Sequence, residues 1–238
     1  MKKRMSGAGL ALQLTFWPVV AVILVWSVFQ IKSFFQSESF WIYGEYAQQM
    51  AFEDVLDNHR IFFYGKLSFL MIFAMTLVAP RNQASYTLRR LRISENELTL
   101  SWALVFSGYY LLSWAVQLGL TMGMFRCFSS VTNLEAMDYF LACYRGRYLH
   151  LLLPLGEPWG YVRNIVMCLG WGSMGALIGR YSRHGGKPFM AVALIIVTLF
   201  FLPADMASQT GDIWFCACTV LLAAIQVYLI REAERDED

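Results

Sequence analysis

The chain has 238 residues, 58% of them hydrophobic and 15% charged, with a net charge of +2. A soluble domain carries about 45–50% apolar and about 25% charged residues, so water is excluded as the solvent around most of this chain. So small a positive charge also gives no ground for a nucleic-acid partner. What remains is one all-α polytopic membrane domain over 1–238, with too little sequence outside the apolar runs for a soluble module.

Six stretches read as crossings, in chain order 12–31, 61–79, 98–125, 161–179, 188–202 and 213–230. The opening MKKR before an apolar run has the form of a secretory signal. The run from Leu10 to Ile31 is, however, long enough to span at roughly 20 residues per crossing, and no small-x-small site follows it, so it is read as a permanent helix. The fifth stretch is the shortest. Its 15 residues cover about 22 Å against a hydrocarbon core of about 30 Å, so it needs its flanks to cross.

Orientation follows from Lys and Arg. With six crossings, one side collects Lys2, Lys3, Arg4, Arg81, Arg89, Arg90, Arg92, Arg180, Arg183, Lys187, Arg231 and Arg235, twelve of the 19. That side is expected to be cytoplasmic, with both termini on it. The opposite side then carries 32–60, rich in acids and aromatics, and 126–160. The latter includes LEAMDYFLACYRGRYLHLLLP, whose polarity alternates with a roughly helical period. Arg145, Arg147 and His150 favour a helix lying in the interface over one dipping into the bilayer.

Several signals dissolve in context. Gly170-Trp-Gly-Ser-Met-Gly175 has dinucleotide-binding spacing but lies in an apolar run with no strand before it. Gly175 and Gly179, like Gly119 and Gly123, are expected to pack helices closely. Gly185-Gly-Lys187 lacks the first glycine of a phosphate loop. His59, His150 and His184 have no second metal ligand at helical spacing, and no catalytic constellation is visible, so neither a metal site nor an enzymatic role is expected. The cysteines are Cys127, Cys143, Cys168, Cys216 and Cys218; buried free thiols are expected for the last two, while Cys127 and Cys143 are either free or bonded to each other. Lys66, about 7.5 Å along a helix from Ile61, either snorkels to the interface or lines a cavity. The tail REAERDED reads as a solvated helix end.

The most patterned stretch lies between the second and third crossings, SYTLRRLRISENE over 85–97. Pro80 is expected to close the second helix. Ala84, Leu88 and Leu91 fall on one helical face, with Arg89, Arg90 and Arg92 elsewhere. Ser94-Glu-Asn-Glu97 is a capping box, flanked by Ile93 and Leu98 at the positions of a hydrophobic staple, so the third helix should start near residue 95. A basic loop that only sets topology would not need this pattern.

In its order and place, YTLRRLRIS resembles the coupling loop of permease subunits in type-2 ATP-binding-cassette (ABC) exporters. The resemblance implies that Thr87, Leu88, Arg89, Arg90, Leu91, Ile93 and Ser94 dock onto a separate cytoplasmic ATPase, within a loop over 81–97. It implies that ATP and Mg are held by that partner, with no cofactor in this chain, and that a second permease chain pairs with this one in a bacterial cell membrane. The chain departs from the family pattern in having only MKKRMSGAGL before the first crossing. It also has too short a segment at 203–212 for the small helices that often precede the last one. A structural or regulatory membrane protein, using the same loop for lipid contact, is the rival expectation.

Overall fold

The computed structural model describes residues 2–36, 52, 55–56, 60–82, 94–132, 136–201 and 209–235. Among them every regular element is a helix: α1 (Lys2–Phe35), α2 (Ile61–Asn82), α3 (Glu95–Thr132), α4 (Ala136–Arg145), α5 (Arg147–Leu152), α6 (Pro158–Arg183), α7 (Phe189–Phe201) and α8 (Gln209–Arg235). Five of these are long and apolar enough to cross a membrane, namely α1, α2, α3, α6 and α8. The chain is therefore an all-α polytopic membrane protein. The fifth expected crossing is α7, with 13 residues, or about 20 Å of helix.

Local chemistry sets the helix ends. The Glu97 amide donates to Ser94 Oγ at 3.3 Å, and Glu95 and Glu97 place negative charge on the first turn of α3, where the helix dipole favours it. Pro158 opens α6, where its missing N–H costs nothing. At the other end of α6 the Gly186 amide closes onto the Tyr181 carbonyl at 3.0 Å. Gly185 there takes φ +78°, a conformation that glycine alone adopts freely.

One proline expectation needs correction. α2 does not stop at Pro80 but runs to Asn82. A proline in the last turn removes a single ladder bond while the residues after it still donate, so the helix is not obliged to end there. Pro18 likewise sits inside α1, which extends well beyond 12–31 at both ends.

The side-chain pairings fix the direction of each helix. A Cβ at Gly7 would lie 3.5 Å from Leu98, and Thr15 meets the Tyr109 hydroxyl at 2.9 Å. Partners advance along both helices together, from Gly7 and Leu98 to Thr15 and Tyr109, so α1 and α3 run parallel. Gln30 Nε2 donates to the Ile61 carbonyl, so α2 starts where α1 ends and runs back. Arg163 pairs with Asp212, a Cβ at Gly170 would strike Thr219, and Arg180 pairs with Glu234, so α6 and α8 also run parallel. The chain between them, of which α7 is the described helix, must return from one end of the bundle to the other. One end, termed the base, gathers the start of α1, the start of α3 and the ends of α6 and α8; the other is termed the head.

α6 occupies the centre, and its glycines explain how. A Cβ at Gly170 would meet Thr219 of α8, one at Gly172 Ser107 of α3, and one at Gly175 both Thr76 of α2 and Phe106 of α3. Each glycine admits a different neighbour, which excludes a nucleotide from this stretch. Around them Phe73, Trp102, Phe106, Tyr110 and Trp171 form the main core. A second cluster fills the head, where α4 and α5 pack Tyr139, Cys143, Tyr148 and Leu149 against Phe34, Ile61, Phe125 and Phe128.

The stretch LEAMDYFLACYRGRYLHLLLP, read as one amphipathic helix, therefore holds two, α4 and α5. Tyr148 donates to Gln117 Oε1 at 2.6 Å, about 28 Å along α3 from Leu98. That depth matches the far edge of a hydrocarbon core that begins at Leu98.

Candidate functional site

The base is where the patterned strip joins the bundle. Thr87, Leu88, Arg89, Arg90, Leu91 and Ile93 lie outside the described residues; Ser94 is described, exposed, and caps α3. Immediately after it, the first turn of α3 is clamped to two other helices. Glu95 faces Arg180 at 3.4 Å and Arg183 at 3.3 Å, both from the last turn of α6. Arg180 also holds Glu234 of α8, and its Nη1 donates to Asn96 Oδ1 at 2.6 Å. His184 lies 3.8 Å from each of Glu95 and Glu234. The first turn of α3 is thereby joined directly to α6 and, through Arg180, to α8.

The same cluster corrects two readings of the sequence. The tail is not merely solvated, because Glu234 is engaged by Arg180. His184 does have carboxylate neighbours, brought in from two other helices. The donor atoms of Glu95, His184 and Glu234 lie within 4.8 Å of one another, yet both carboxylates already face arginines whose charge opposes a cation. The chemistry is that of an ion-pair clamp. Replacing Ser94 with Ala removes the cap, and the Glu97 amide is expected to exchange hydrogen about fivefold faster, the equivalent of about 1 kcal/mol. Hydrogen-exchange mass spectrometry of the first turn of α3 checks this.

Lys66 is half-buried, and its ammonium lies 3.6 Å from the Phe62 ring centroid, one turn toward the head. It also lines a small cavity, about 40 Å³, with Gln117, Tyr148, Trp171 and Leu199. A space that small holds only a few atoms.

At the head, a buried polar cluster was missed by the sequence reading. Arg163 and Asp212 pair at 2.8 Å with both side chains about 94% buried. Asn164 and Arg163 both donate to the Leu151 carbonyl, and His150 meets Glu157 at 3.4 Å. This network ties α5, α6 and α8 together. An arginine at the third position of an apolar run, with an acid just before another run, was the available signal.

The four packing glycines divide. Gly175 packs as described and Gly179 is buried in α6. Gly119 and Gly123 are exposed, with open space where a Cβ would be. The buried face of α3 at that height passes through Gln117, Thr121 and Met124, which turns both glycines away from the other helices. The five cysteines are free thiols, Cys127 exposed and Cys143 buried. Burial pushes the Cys143 thiol up to about 11, so it is protonated and unreactive at neutral pH.

No family model, no curated protein and no solved structure matches the chain.

Proposed function

We propose that this chain is the permease half-unit of an ABC exporter, driven by ATP hydrolysed on a separate subunit. The observation that carries the reading is the strip YTLRRLRIS leading straight into a capped helix whose first turn is clamped to α6 and α8. The base is the cytoplasmic side, in accord with its share of Lys and Arg. The ATPase docks on Thr87, Leu88, Arg89, Arg90, Leu91, Ile93 and Ser94, with the two leucines as apolar anchors and the arginines facing acidic groups. When ATP draws two such ATPases together, the strip carries the motion into α2 and α3, and the clamp passes it to α6 and α8.

The cargo path lies between two copies of the chain, or between this chain and a related one, since the cavity that Lys66 lines holds only about 40 Å³. The second reading is a structural or regulatory membrane subunit with no path. One variant separates the two. Arg89→Glu combined with Leu91→Asp is expected to abolish co-purification of the ATPase while leaving membrane insertion intact. Unchanged co-purification removes the docking assignment.

A further inference from the structure

The base holds a second feature that the clamp does not explain, a cleft of about 440 Å³ between α3 and α8, floored by α6 and open on one side. Its size lies within the ~300–1,000 Å³ typical of small-ligand sites. The walls are Leu100 and Ala103 of α3, Ser173 and Leu177 of α6, and Val227 and Ile230 of α8. Two hydroxyls line it, and each donates its proton within its own helix rather than to a ligand. Ser173 Oγ donates to the Leu169 carbonyl at 2.7 Å, and Thr99 Oγ1 to the Glu95 carbonyl at 2.8 Å. The body of the cleft is therefore apolar in character despite its sequence.

Its mouth is cationic. Arg180 lines it but is occupied by Glu234, Glu95 and Asn96. Arg231, one turn before Glu234, is exposed at the rim and pairs with no carboxylate among the described residues. Among the described residues that line the mouth, Glu234 is the one acid, and it pairs with Arg180. An apolar slot beneath an uncompensated guanidinium, at the end of the bundle where α6 and α8 leave the apolar layer, fits a molecule with a hydrocarbon body and an anionic head.

We propose that this cleft binds one anionic phospholipid of the adjacent leaflet, an acyl chain between α3 and α8 and the phosphate on Arg231. Basic pockets between membrane helices hold acidic headgroups by the same charge complementarity, and the guanidinium fork suits phosphate oxygens. Bound there, the lipid wedges the two helices that the clamp joins. The site stands whether or not the protein transports anything.

The full chain, purified in mild detergent and given equal amounts of phosphatidylglycerol and phosphatidylcholine, tests this by native mass spectrometry. The unaltered chain is expected to retain one phosphatidylglycerol in preference to phosphatidylcholine. Arg231→Gln should reduce that preference about fivefold, the scale of one basic residue at an anionic surface, and Arg231→Lys should largely keep it. Ala103→Trp, which fills the slot, should lower retention of both lipids. A preference unchanged by Arg231→Gln overturns the proposal. So does a chain that retains no lipid, or a dimer that Ala103→Trp alone disrupts, which would assign the cleft to a second copy.

Discussion

Arg163→Met is expected to lower the unfolding free energy by about 3–5 kcal/mol, as is Asp212→Leu. Each single change leaves the opposite charge about 94% buried without its pairing partner, and burial keeps water from taking that partner's place. Removing both charges together takes away the desolvation cost along with the attraction. The double variant Arg163→Met/Asp212→Leu should therefore recover most of the loss. Equilibrium unfolding in mixed micelles, with helicity as the signal, measures all three. Singles within about 0.5 kcal/mol of the unaltered protein, the range of ordinary surface changes, would mean that the pair is solvated and does not hold α6 to α8.

Gly172→Leu should be the most damaging of the glycine changes. A Cβ there would lie 2.4 Å from the Ser107 backbone nitrogen and 2.3 Å from its Oγ. Backbone cannot rotate away, so α3 and α6 must separate along their largest shared interface, at a cost of about 3 kcal/mol, the upper end of common overpacking. Gly119→Ala is the contrast, since nothing lies within 4 Å of its Cβ position. Relief of the helical glycine penalty should make it neutral or stabilising by up to about 1 kcal/mol. The same unfolding measurement ranks the two. Equal effects would contradict the rotation of α3 about its axis.

Those two glycines also show what the sequence can carry. A small-xxx-small spacing is present at Gly119/Gly123 and at Gly175/Gly179, but spacing does not state which way a helix is turned. Only the buried face through Gln117, Thr121 and Met124 settles that, and it depends on α4 and α5 covering the head. The start of α3 was legible because the Ser94 cap is made within four residues. The five long crossings were legible because apolar length is a local property.

The Arg163–Asp212 pair was not legible, since its partners are separated by 49 positions and meet only because α6 and α8 run parallel. Glu234 was misjudged for the same reason: a charged helix end looks solvated until another helix brings Arg180 to it. Pro18 and Pro80 marked weak points in the backbone ladder without ending their helices. The residues proposed to dock, Thr87 to Ile93, were read from the sequence pattern, and the structure describes Ser94 and the clamp that follows it.

The most direct measurement is affinity capture of the tagged chain from gently solubilised native membranes, followed by mass spectrometry of what accompanies it. The exporter reading predicts an ABC ATPase in a one-to-one ratio with the chain, lost on Arg89→Glu/Leu91→Asp. Recovery of the chain with lipid alone, or with a signalling protein in place of the ATPase, would contradict it and leave SYTLRRLRISENE as a topology or regulatory element.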